Sequence, residues 1–168
     1  MRVAAAHAEY VRQLAQDGYQ AALIAQAPIT GSALRDIERC DNRLARTLFA
    51  AGFRGESLHQ AWAIVMRESG GRPDAISATQ DYGLFQFNRA TYSDQYWWSD
   101  TRLLDRKYNA FIAYQVSQRG TTWTPWGLDG QGRVRPRVYL NAGWTLQQVQ
   151  DRIVDPFTHW YAQFPCLA

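Results

Sequence analysis

The stretch Leu58-His59-Gln60-Ala61-Trp62-Ala63-Ile64-Val65-Met66-Arg67-Glu68-Ser69-Gly70-Gly71 decides how this chain is read. Leu58, Ala61 and Val65 follow one another at steps of three and four, which predicts a helix over about 56–69 with an apolar stripe facing a core. Gly70-Gly71 stops it. The next position on that stripe is Glu68, where a purely structural helix would carry Leu or Ile. Ser57, His59, Gln60 and Arg67 fall largely elsewhere on the wheel. Partial burial disfavours an ionised carboxylate, and so does the negative end of the helix dipole in the last turn. Both effects are expected to raise the pKa of Glu68. A carboxyl group that keeps its proton near neutral pH can act as a general acid. The alternative is a carboxylate paired with Arg67 or Arg72, or an exposed glutamate at a helix end.

Working outward, residues 72–88 change character. Pro73, Asp74, Ser77, Thr79 and Asp81 are turn formers, and Leu84–Asn88 alternates enough for a short strand, so a small β region with one hairpin is expected. The flanks are helical. Residues 3–26 are expected to form an alanine-rich helix ended by Pro28, and Ser32 to cap a second over about 33–51 that closes at Gly52. Further helices are expected near 89–96 and 105–119. A last one over 145–163 is expected to be broken or kinked at Asp155-Pro156. The stretch 121–143, rich in Gly, Pro and Trp, reads as loop. The fold class is α+β, mainly α, with a small β-hairpin region directly after the helix that carries Glu68.

Composition narrows the function classes. At 168 residues, 46% hydrophobic and 20% charged, the chain suits one globular domain over 1–168. N-terminal helices are expected over 1–52, the core motif over 55–127 and a helical C-terminal segment over 144–168. No apolar run reaches a membrane span. The first twenty residues, interrupted by His7, Glu9, Arg12 and Asp17, lack the apolar block of a signal peptide. The net charge of +3 is carried by scattered arginines and the single Lys107, which suits approach to an acidic polymer and offers no basic stripe for nucleic acid. His7, His59 and His159 are isolated and the two cysteines fit no metal-ligand spacing, so neither metal nor cofactor is expected. Cys40 and Cys166 can bridge and pin the C-terminus, or remain free thiols as a cytoplasmic protein would keep them.

The run from Glu68-Ser69 through Pro73, Ala75 and Ser77, followed by Asp81-Tyr82-Gly83-Leu84-Phe85-Gln86-Phe87-Asn88, resembles the lysozyme-like superfamily. There a Glu-Ser pair ends a helix and precedes a small β region with a Gly-Leu-x-Gln element. Asp81-Tyr82-Gly83, with Gln86 and Asn88, is similar to the animal-type lysozymes. Glu68 to Ser77 is closer to the soluble lytic transglycosylases. Asp105–Ala113 and Trp123-x-x-Trp126 resemble lysozyme-like domains of bacteriophages of high-GC Gram-positive hosts. The resemblance covers about 55–127. It departs from the animal family in the short interval of 13 residues between Glu68 and Asp81 and in the missing cysteine framework.

The resemblance implies a muramidase cutting the β-1,4 bond between N-acetylmuramic acid and N-acetylglucosamine in peptidoglycan. Glu68 is then the acid and Asp81 the second carboxylate. Tyr82, Gln86 and Asn88 would bind sugar, with Trp123 and Trp126 first choices for aromatic platforms in the groove. A lytic transglycosylase needs only the glutamate and leaves a 1,6-anhydro end. A non-catalytic wall-binding module is the alternative from another class. The expected setting is a phage lysin acting as a monomer on glycan strands, either held in the host cytoplasm until lysis or carried on the virion.

Overall fold

The computed structural model describes residues 31–128 and 136–166; the helix expected over 3–26 lies outside them. Helix α1 (Gly31–Arg39) and helix α2 (Arg43–Ala51) replace the single helix expected over 33–51. The reason for the break is local. Asn42 has extended backbone and its side chain accepts the Ala45 N–H at 2.9 Å, so it starts a new helix.

Helix α3 (Gly55–Ser69) is the centre of the molecule. Leu58, Ala61 and Val65 are buried as the stripe requires, and so are Trp62, Ala63 and Ile64. It is covered on one side by α2 and on another by a C-terminal helix described below. Gln60, expected on the polar side, is buried, and its amide bridges Glu56 and the indole N–H of Trp123. Gly70, left-handed with φ 64°, ends α3 and returns its N–H to the Met66 carbonyl.

The β region follows at once. Strand β1 (Asp81–Tyr82) pairs antiparallel with β2 (Phe87–Asn88), Asp81 opposite Asn88 and Tyr82 opposite Phe87. It is shorter than the strand expected over 84–88. Buried Asn109 fixes the turn between them. Its oxygen accepts the Phe85 N–H at 3.0 Å, and its amide donates to the carbonyls of Tyr82 and Leu103 at 3.0 and 2.9 Å. Gly83 lets the turn approach this closely: φ is 75°, and a Cβ there would lie 2.1 Å from the Leu103 oxygen.

Helix α4 (Arg89–Tyr92) and a 3-10 turn (Arg102–Leu104) lead into α5 (Arg106–Val116), whose first turn is capped by the Asp105 side chain. The stretch expected to be loop over 121–143 contains a 3-10 turn (Thr124–Trp126) and helix α6 (Pro136–Asn141). Helix α7 (Leu146–Val149), a π-helical turn (Gln150–Val154) and α8 (Asp155–Ala162) then run on. Pro156 does not break this segment, because it sits in the first turn of α8, where its missing N–H costs nothing.

Helix α8 is the element that packs along α3. Trp62 meets Trp160 and Phe164 edge to face, and Tyr161 donates its hydroxyl to Glu56. Cys40 and Cys166 are joined in a disulfide with Cα atoms 5.3 Å apart. The free-thiol alternative therefore does not hold in this structure. No helix of the described residues is long and apolar enough to cross a membrane.

Candidate active site

Glu68 stands in the last turn of α3, with 26% of its side chain exposed. Arg67 beside it is only 4% exposed and donates twice to Glu68 Oε1, from Nε at 3.0 Å and from Nη2 at 2.6 Å. The same Nη2 reaches the Trp126 carbonyl at 2.9 Å. The Arg67 pairing, the alternative to an acid role, is thus present. It engages one oxygen only: Oε2 accepts no hydrogen bond among the described residues. A proton carried on Oε2 would leave both Arg67 bonds to Oε1 intact, so the pair aims the carboxyl without occupying it. Ser69, the next residue, is buried and donates to the Leu84 carbonyl at 2.9 Å, tying the helix end to the hairpin.

Asp81 begins β1 and lines the same cleft as Glu68, a cavity of about 440 Å³. Three side chains donate to its carboxylate. Ser77 at 2.5 Å and Thr79 share Oδ2, and Asn88 reaches Oδ1 at 2.8 Å. Burial pushes the Asp81 pKa up, but these hydrogen bonds outweigh it and hold the group below its usual value. Asp81 is therefore an anion wherever the protein is near neutral pH. The donors come from residues flanking a tight turn, in which Ser77 Oγ also accepts the Asp81 N–H at 3.0 Å. Asp81 thus does hold its own turn, and that turn in turn fixes its charge.

Gln86 and Asn88 line the cleft too, but differ in what they have left to offer. The two amide hydrogens of Asn88 go to Thr79 O and Asp81 Oδ1, and its oxygen accepts from Thr91 N and Oγ1. With every donor and acceptor engaged, Asn88 positions Asp81 and caps α4; direct sugar binding, its expected role, would break one of these bonds. Gln86 donates to the Gly83 and Ala75 carbonyls, leaving its side-chain oxygen with no partner among the described residues. Its φ of 54° is a conformation that residues other than glycine rarely adopt.

The aromatic expectations divide. Trp126 lines the cleft but is only 5% exposed, and it donates its indole N–H to the Phe85 carbonyl at 2.9 Å, so it offers the groove an edge and not an open face. Trp123 is completely buried, stacked on Phe53 and bonded to Gln60, so no sugar can reach its ring. Tyr82 is 7% exposed, packed edge to face on Trp98, and is not among the residues lining the cleft.

The far wall of the cleft comes from a part of the chain with no expected site residue. Tyr139 of α6, Trp144 just before α7, and Ile153 of the π-helical turn all face it. Tyr139 lies over Gly127, where a Cβ would be 1.7 Å from the phenol oxygen, and donates to the Trp126 carbonyl at 3.3 Å. Burial raises its pKa; nearby Arg67 opposes this and Glu68 adds to it, so the phenol keeps its proton. The aromatic content of 139–144 was a usable signal, but nothing local says which groove it faces. Among the described residues no group of three or more His, Cys, Asp or Glu could hold a metal ion.

A polar cleft thus holds one carboxyl fixed by a guanidinium at a helix end and one carboxylate kept ionised by hydrogen bonds. A family model described as a lysozyme-like domain matches residues 45–128, half of the chain. No curated protein and no solved structure matches it.

Proposed function

Since the chain belongs to the lysozyme-like domain family, we propose that it is a muramidase that hydrolyses the glycan strands of peptidoglycan. The family supports the coarser statement, a glycosidase or transglycosylase acting on peptidoglycan. The observation that carries the finer one is Asp81, a carboxylate on the cleft of Glu68 that is held ionised by three donors.

In this reading Glu68 protonates the glycosidic oxygen from Oε2 while Arg67 holds Oε1. Positive charge grows on the departing sugar ring, and Asp81 lies on the cleft as a fixed negative charge to stabilise it. Both Asp81 oxygens already accept hydrogen bonds, which favours electrostatic support over a freely swinging nucleophile. Glu68, now ionised, takes a proton from water for the second step.

The second reading, a lytic transglycosylase, rests on that same engagement of Asp81, because there Glu68 alone would suffice and the muramic acid 6-hydroxyl attacks. Asp81→Asn separates the two. Hydrolysis requires the charge, so clearing of cell-wall suspensions should fall by about 10²-fold or more. Near-normal clearing by that variant overturns the muramidase.

As to setting, a phage lysin remains the proposal. The Cys40–Cys166 disulfide favours action from the virion, outside the cell, over storage in a reducing cytoplasm.

A further inference from the structure

Beyond residue 128, where the family match ends, the chain builds one side of the cleft with its own chemistry. Trp144 is half-buried yet lines the cleft, so part of its indole surface is open to a ligand. Tyr139 packs against it with ring centroids 5.1 Å apart, which links it back to the Glu68 end. The exposed Arg152 places its guanidinium carbon 5.5 Å from the Trp144 centroid, within cation–π range.

Arg152 has no carboxylate partner among the described residues. Asp151 accepts from Gln147 and Asp155 from Gln150, so the acids nearest in sequence are engaged elsewhere. The residue stands in a π-helical turn, a departure from α geometry that recurs at functional sites. In that turn Ile153 faces the cleft while Arg152 lies over the indole. An aromatic face beside an unpaired guanidinium suits a ligand that is apolar on one face and bears an anion: a sugar ring with a carboxylate substituent.

We propose that Trp144 and Arg152 form a substrate site in which the indole stacks on a sugar ring and the guanidinium pairs with a carboxylate attached to it. This rests on the peptidoglycan reading, whose muramic acid carries a lactyl carboxylate when bare and an acidic peptide when substituted. The site then selects wall glycan over neutral N-acetylglucosamine polymers.

The test is binding, by calorimetry, to the Glu68→Gln protein, which holds glycan without cutting it. Three probes are used: a neutral N-acetylglucosamine hexamer, peptide-free glycan strands and peptide-bearing strands. Trp144→Ala should weaken all three by about tenfold, and Trp144→Phe much less, which separates ring stacking from a folding defect. Arg152→Gln should weaken the acidic probes by about fivefold and spare the neutral one. Loss on the peptide-free strands alone assigns the anion to the lactyl carboxylate, loss on the peptide-bearing strands alone assigns it to the peptide, and loss on both means that the guanidinium takes either; each supports the site. Unchanged binding in Trp144→Ala, or equal loss on neutral and acidic probes in Arg152→Gln, overturns the site. Failure of the Glu68→Gln protein itself to bind any probe refutes the peptidoglycan reading instead.

Discussion

Asp81 owes its charge to its neighbours. Asn88 contributes one of three donors and spends its remaining capacity on the Thr79 carbonyl and the cap of α4. Asn88→Ala should therefore raise the Asp81 pKa and move the acid limb of the pH–activity profile to higher pH. An unmoved limb would detach Asn88 from the carboxylate. The sign for stability is the same. A depressed folded pKa contributes stability above the unfolded value, lost as pH falls through the folded one, so the wild type should resist acid further than Asn88→Ala. For Glu68→Gln, activity should drop about 10²–10⁴-fold with the melting temperature little changed, because the amide oxygen can still accept from Arg67. Glu68 was legible because a helical stripe exposes a misplaced carboxylate. The donors to Asp81 were not, since Ser77 and Thr79 read equally well as turn formers with nothing to hold.

The hairpin is the element whose placement most depends on one distant side chain. Asn109 on α5 bonds to Tyr82, Phe85 and Leu103, while Ser69 and Trp126 hold only the Leu84 and Phe85 carbonyls. Asn109→Ala leaves one N–H and two carbonyls wanting in a buried setting. It should cost about 2–4 kcal/mol, read as a lowered denaturant midpoint. A loss under about 0.5 kcal/mol would mean the turn stands by itself. Element boundaries followed from sequence wherever a local group sets them. Gly70 ends α3 as expected, whereas the break before α2 needed Asn42 to be recognised as a cap inside an otherwise helical pattern. Trp123 was assigned to the groove because Trp123-Thr124-Pro125-Trp126 looks like loop. Its burial follows from Gln60 and Phe53, far off in sequence, which turn one tryptophan inward while its neighbour stays on the cleft.

Across the described residues, the chain that supplies the far wall of the cleft runs on into a helix that returns to α3. Helix α8 packs there through Trp160 and Tyr161, Phe164 just beyond it adds a third ring, and the disulfide ties Cys166 to the end of α1. No periodicity announces such a return, so the far wall is not legible in the sequence. A bridge closing a loop with a separation of 126 residues should stabilise by about 2–5 kcal/mol. Cys166→Ser, or the wild type in dithiothreitol, should melt several degrees lower; an unchanged melting temperature would show that the aromatic packing alone seats the segment. The central claim, hydrolysis by a Glu68–Asp81 pair, is tested most directly by digesting purified peptidoglycan and weighing the new chain ends by mass spectrometry. The account predicts reducing N-acetylmuramic acid ends. Ends lighter by one water, the 1,6-anhydro form, would contradict it.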